Sequence, residues 1–335
     1  MTARPLDAGT VTALVAEAVT APSMHNAQPW RFRYVAAVRE VGLWADPCRA
    51  MPRSDPGNRA LHIGCGAALF NLRVAAEHAG LVPEVRLLPE ADDPFLLAVV
   101  RLGDASDTTT GRADQGSLAR LHPAIARRRT SRHPFTGRDV PEEVRATLRR
   151  AAADEGAELL FPGSWHIDSV LELVHDAEGR DALDRESVAE LARWTRTGAD
   201  AGDAVDGVPE YAFGPRKEDG RAPLRDFAGR RARTDDRDAT PFERDPRLAL
   251  LSTPGDAPGD WLRAGQALER VLLEATLAGL ATSLTSHPLE NADLRPLVRE
   301  PVSGKGHVHM VLRLGYGPTG PATPRRPVRD VLDLA

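Results

Sequence analysis

The chain has 335 residues, 42% hydrophobic and 27% charged, with a formal net charge of −5, which gives it apolar material for a substantial core and excludes a disordered or fibrous chain. No segment approaches the roughly 20 consecutive apolar residues that a bilayer crossing needs. The mildly acidic balance argues against a nucleic-acid partner, and Cys48 and Cys65 supply neither a disulfide framework nor a thiolate metal site.

All basic residues except Lys217 and Lys305 are arginine, which argues against a lysine Schiff base and a phosphate-binding Gly-Lys-Ser/Thr loop. The stretch Val11 to Ala21 carries Glu17 and has no basic region directly before it. It reads as a helix face, not a secretory signal, and a cytoplasmic protein is expected.

In chain order, the first element is an amphipathic helix from about Thr10 to Thr20, with Val11, Leu14, Val15, Ala18 and Val19 on one face. Pro22 stops it. Ser23, His25, Asn26 and Gln28 then stand on a loop bounded by Pro22 and Pro29, ahead of a strand in which Trp30, Phe32 and Tyr34 alternate with Arg31 and Arg33. Such a loop offers donors and acceptors to the edge of a flat heterocycle, and its residue types equally suit a capped turn.

A mostly apolar helix follows at Leu61 to Leu81 and recurs, at an offset of 199, as Asp260 to Leu280. Identities include Gly66/Gly265, Leu69/Leu268 and Gly80/Gly279, the last pair where a left-handed residue would end each helix. Each copy is followed by a β-rich run ending in Arg-Leu-Gly, Phe95 to Gly103 and Val308 to Gly315. The second copy is 13 residues longer between helix and strand, around Ser283 to Glu300. It too opens on an amphipathic helix, about Pro141 to Ala153, with Asp139 as the expected N-cap. The chain therefore reads as two diverged copies of one α+β unit, residues 1–118 and 119–335, joined by a polar connector at Asp104 to Gln115. About Thr195 to Arg247, rich in Gly, Asp, Pro and Arg, has no counterpart in the first copy and reads as either a lid or a solvated insertion.

Four segments carry chemistry. APSMHNAQPWRF, from Ala21, resembles the Ala-Pro-Ser-x-x-Asn-x-Gln-Pro-Trp signature of the FMN-dependent nitroreductase superfamily. Arg128-Arg129-Thr130-Ser131-Arg132-His133-Pro134-Phe135 resembles the segment whose arginine and hydroxyl side chains hold the FMN phosphate in that superfamily, a role suited to guanidinium forks. Ser286-His287-Pro288-Leu289-Glu290 is similar to the loop that passes over flavin N5 and donates a backbone N–H to it. The tail through Pro324-Arg325-Arg326-Pro327 is similar to the basic residues that close on the phosphate.

The resemblance implies a nitroreductase-like fold and cofactor contacts from Ser23, His25, Asn26, Gln28, Arg128, Arg129, Thr130, Arg132, Pro288, Leu289, Glu290, Arg325 and Arg326. Neither copy holds a full set. The arrangement is similar to that of the Acg-type FMN-binding proteins of actinobacteria, which implies a fused pseudo-dimer with one FMN site between the halves, either monomeric or associating as a homodimer. It implies hydride transfer from NAD(P)H to a nitro, quinone or enone-type acceptor, or FMN sequestration if Asp206 to Phe213 covers the ring.

No catalytic side chain is required: His25 reads as a proton donor or as a hydrogen-bonding loop residue, and His287 is equally open. Two further readings are weaker. Gly64-x-Gly66 lacks the third glycine of a dinucleotide fingerprint and reads as helix packing, while His307 and His309 lack a third metal ligand nearby.

Overall fold

In a computed structural model of the chain, residues 5–104, 118–229, 237–299 and 306–335 are described. The expected connector therefore lies, beyond Asp104, outside the described residues.

The first element is α1 (Ala8–Ala18), whose Asp7 N-cap accepts the Thr10 N–H and whose Val11, Leu14, Val15 and Ala18 face inward as the spacing predicts. A hairpin of β1 (Trp30–Val35) and β2 (Glu40–Ala45) follows, then α2 (Arg59–His78), β3 (Leu81–Leu87) and β4 (Leu96–Asp104). Along β1, Trp30, Phe32 and Tyr34 are buried while Arg31 and Arg33 are exposed, the period-two pattern of a sheet with one face on a core.

After β4 the described residues contain short α3 (His122–Ile125), α4 (Glu142–Ala153), β5 (Glu158–Leu160), α5 (Ser164–Leu183) and α6 (Arg185–Arg193). Small elements β6 (Thr195–Arg196), α7 (Asp200–Asp203), β7 (Val208–Pro209), β8 (Arg216–Lys217) and β9 (Ala239–Thr240) lead to β10 (Leu248–Thr253). The chain then forms α8 (Pro258–Leu277), β11 (Ala281–Thr285), α9 (His287–Glu290), β12 (His307–Gly315) and β13 (Leu332–Leu334).

The main sheets run β13-β1-β2-β4-β3 and β11-β12-β10-β5. Read in chain order, β1-β2-β4-β3 and β5-β10-β12-β11 have the same connectivity, with a register irregularity in the second pair of each, after Leu43 and after Leu251. The tail leaves the second sheet and adds β13 parallel to β1, pairing Phe32 with Leu332.

Between the sheets α2 and α8 pack directly on each other. A Cβ on Gly66 would lie 2.4 Å from Leu262 O, and one on Gly265 would lie 2.1 Å from Ile63 O. The contact is reciprocal across the 199-residue offset, and both backbones approach too closely for any side chain. Gly66 is thus a helix-packing residue inside α2, whereas Gly64, also expected to pack helices, faces the loop after α1, where a Cβ would meet Ser23 Cβ at 3.2 Å. Gly80 and Gly279 end their helices at φ +78° and +75°, as expected from the sequence.

Three expectations change in detail. Helix α4 is capped by Pro141, and Asp139 instead pairs with Arg247 at 2.6 Å. The connection between β11 and β12, 286–306, is longer than the connection 88–95 between β3 and β4, so the excess expected around Ser283 to Glu300 starts only after β11. The insertion between β5 and β10 spans 161–247 where β1 and β2 are joined by a tight turn, so it begins with α5 and α6, well before Thr195.

Candidate functional site

The loop after α1 is held in a conformation that ordinary residues avoid. His25, Asn26 and Gln28 have φ of +48°, +56° and +54°, each a left-handed backbone that costs a non-glycine residue on the order of 1 kcal/mol or more. Its hydrogen bonds supply the restraint. Ser23 Oγ accepts the Gln28 N–H at 2.9 Å, and Gln28 Nε2 donates to Val205 O at 2.9 Å while Gln28 Oε1 accepts the Arg326 N–H at 2.8 Å. Asn26 Nδ2 donates to Gly207 O at 2.9 Å and Pro324 O at 3.0 Å. The loop is therefore knitted to the segment 205–207 before β7 and to the C-terminal tail.

This loop forms one wall of a cavity of about 270 Å³. The floor comes from α2 and α8 through Ala60, Ile63, Gly64 and Leu268, and the far side from Ser283, Leu284 and Met310. Arg128, Arg129, Thr130 and Arg132 enter because their segment docks on β11, with the Ser131 N–H donating to Thr282 O at 2.8 Å. Around it folds the tail, passing so closely that a Cβ on Gly320 would meet Thr130 O at 2.1 Å.

At one end, guanidinium groups converge. Arg325 donates to Asn26 Oδ1 at 2.9 Å and Thr20 O at 2.8 Å, and Arg128 donates to Thr20 O at 3.1 Å. Burial, with Arg128 and Arg129 nearby, lowers Arg325 to about 9, so it remains charged at neutral pH. Arg128 Nε lies 3.3 Å from Glu269 Oε1, an ion pair sealed from solvent, and neither atom has a hydrogen bond of good geometry. Arg325 Nε is also buried without an acceptor. Such a cluster is costly unless an anion completes it.

The other end is aromatic and imidazole-lined. Arg132, lowered to about 10 by burial alone, donates to Ala212 O at 2.9 Å and lies 4.8 Å from the Phe227 ring centroid. His25 meets the same ring edge-on at 5.6 Å. Burial, Arg225 and Arg132 hold His25 well below its usual range, and burial, Arg225, His25 and Lys217 do the same for His287. Both imidazoles are neutral at pH 7, and His25 Nε2 and His287 Nδ1 are buried without a hydrogen-bond partner.

The insertion closes this end: Val208, Leu224, Arg225 and Phe227 line the cavity, and Phe227 packs with Val208, Ala212 and Phe213 in a small apolar cluster. Thr285 Oγ1 donates to Pro223 O at 2.8 Å. Leu224, Arg225, Phe227 and His287 also border a second cavity of about 1310 Å³ beside α5 and α6, so these four side chains partition the two spaces. In this part of the insertion Phe213 and Phe227 are buried while Tyr211 is exposed.

Of the expected site residues, Ser23, His25, Asn26, Arg128, Arg129, Thr130, Arg132 and Arg325 line the cavity. Gln28 and Arg326 do not; they lie behind the loop, Arg326 donating to Gln28 O at 3.3 Å. Pro288, Leu289 and Glu290 are also set back. The Leu289 and Glu290 N–H groups turn onto Ser286 O, and Glu290 pairs with Arg225 and accepts from Ser286 Oγ, leaving Ser286 and His287 on the wall. Thr20, Glu269 and Arg225 escaped sequence reasoning. Nothing local marks them, although Glu269 is a charged residue within an apolar helix face, a signal that could have been read. Among the described residues no group of His, Cys, Asp or Glu could hold a metal, and no helix is long and apolar enough to cross a membrane.

A paired-sheet α+β fold with a cation-ended cavity beneath a loop of this signature belongs to one class: the chain is a member of the nitroreductase family, whose profile matches residues 125–316. It is 34% identical over 333 residues to "Putative NAD(P)H nitroreductase Rv3131" of Mycobacterium tuberculosis, covering 98% of this chain and 92% of that protein. "Putative NAD(P)H nitroreductase acg" of the same organism is 32% identical over 325 residues, covering 95% of this chain and 93% of its own. The fold is shared with a solved "putative nitroreductase" from Anabaena variabilis, at 12% identity and a TM-score of 0.50, covering 92% of this chain and 88% of that one.

Proposed function

We propose that this chain is an FMN-dependent oxidoreductase carrying one flavin between two fused, diverged nitroreductase-like halves, residues 1–118 and 119–335. The observation that carries this reading is the composition of one cavity wall. The Ser23–Asn26 loop belongs to the first half, and Arg128, Arg325 and the Ser286–His287 turn to the second. The matching strand orders and the reciprocal Gly66/Gly265 contact support the fused arrangement.

The residues fit the cofactor. Arg128, Arg129 and Arg325 would hold its phosphate, where buried guanidinium N–H groups stand without acceptors. Thr130, Arg132 and the loop carbonyl and amide groups would meet the polar edge of the ring system, and Leu268, Ile63 and Met310 its apolar body. When bound, the flavin would supply redox chemistry of the hydride-transfer kind, between a reduced nicotinamide and a nitro, quinone or enone-type acceptor. The chain's own contribution is to orient the ring and exclude water. The neutral imidazoles of His25 and His287 would donate hydrogen bonds to an acceptor oxygen while adding no charge to the wall.

A second reading follows from Phe227 and Arg225, which stand between the two cavities. If they stay closed, the protein retains FMN without turnover. Anaerobic addition of excess NADPH to the flavin-loaded protein separates the two. Bleaching of the flavin band supports the oxidoreductase; a band that persists in wild type but bleaches in Phe227→Ala assigns the difference to this partition.

A further inference from the structure

Glu269 has no role in the reading above, yet it lies against the arginine cluster. Its side chain on α8 is fully buried, 3.3 Å from Arg128 Nε, and neither carboxylate oxygen accepts a hydrogen bond of good geometry. Beside it on α2 is Asn71, whose Nδ2 donates to Thr20 Oγ1 at 3.2 Å and whose Oδ1 is buried without a donor.

The surrounding charges leave Glu269 facing cations only. Arg128 and the tail's Arg325 act on it, and Arg129 acts in turn on both arginines. On α1, Glu17 faces His122 at 3.9 Å, and Glu274, further along α8, is engaged by Arg120. Burial raises Glu269 to about 7, against the pull of Arg128, of the Asn71 side chain and of Arg325.

Resting on the FMN reading, we propose that Glu269 is the internal counter-ion of the empty arginine cluster and takes up a proton when a flavin phosphate replaces it. An ionised Glu269 and a phosphate dianion would share the same guanidinium groups in a buried space, where like charges cannot both persist. Protonation removes one of them. Binding then favours the phosphorylated flavin over riboflavin and becomes linked to pH.

The test uses the full chain stripped of flavin, titrated calorimetrically with FMN at pH 7.5 in two buffers of different ionisation enthalpy. Phosphate, with a second pKa of about 6, is already mainly dianionic there. The expected result is uptake of up to about one proton per FMN, with affinity falling by up to about tenfold per pH unit between pH 7.5 and 8.5. Riboflavin should bind more weakly and without that uptake. In Glu269→Gln the uptake should disappear and the affinity become nearly flat with pH. Equal proton uptake in wild type and Glu269→Gln, or equal uptake for FMN and riboflavin in wild type, overturns the proposal while leaving the cofactor reading intact. The riboflavin comparison needs no variant to fold. Failure of wild type to bind FMN at any pH overturns both.

Discussion

Arg325 reaches back from the end of the chain to Asn26 Oδ1 and Thr20 O, so one side chain both positions the loop and presents charge to the cavity. Charge-assisted hydrogen bonds to a buried phosphate contribute on the order of 1.5–3 kcal/mol each. Arg325→Ala should therefore weaken FMN at least about tenfold, and Arg128→Ala in the same direction, as read by flavin fluorescence titration. Riboflavin affinity should change much less if the lost energy comes from the phosphate, and an equal loss for both ligands would show that the loop had collapsed instead. The imidazoles give a pH prediction with a defined sign. His25 and His287 are held below their usual range mainly by burial, so the folded state binds fewer protons than the unfolded one below about pH 6.5. Their contribution to stability is present above that pH and declines on acidification. In the NMR spectrum neither ring should titrate between pH 6.5 and 8; a midpoint within that window would contradict the described packing.

Helices α2 and α8 meet where neither backbone tolerates a Cβ, and the site sits on the same pair through Ile63, Gly64 and Leu268. Gly265→Ala would place a methyl carbon 2.1 Å from Ile63 O and force the helices apart. The expected cost is roughly 1–3 kcal/mol or more, seen as a lower melting temperature together with weaker flavin binding. A variant of unchanged stability would show that this crossing can shift freely. The insertion is the other element that governs the site. Removing the Phe227 ring should raise the rate of flavin reduction by NADPH, measured by anaerobic stopped flow, because Phe227 separates the two cavities. Both elements were only partly legible beforehand. The glycine pair was visible because the repeat aligned it, whereas Phe227 and Arg225 lie in a stretch with no periodicity, and their contacts with His25 and Glu290 span long loops.

Across the whole molecule, what the sequence made readable was whatever is local or repeated: the amphipathic face of α1, the alternation of β1, the helix-ending glycines and the arginine segment. Gln28, Arg326, Leu289 and Glu290 were grouped with the cavity because they share its motifs, and the structure uses them to brace its wall from behind. Burial of that kind depends on three-dimensional neighbours that no spacing rule supplies, such as the tail crossing to pair β13 with β1. The proposed fusion also carries a quantitative consequence. Two identical halves would make two sites, but here each half contributes a different part of the same wall, the Ser23–Asn26 loop from one and Arg128 and Arg325 from the other. The most direct measurement is the saturating FMN stoichiometry of the flavin-stripped chain at known protein concentration. The account predicts one FMN per chain, lost in the Arg128→Ala, Arg325→Ala double variant; two FMN per chain, or stoichiometric binding undiminished in that variant, would contradict it.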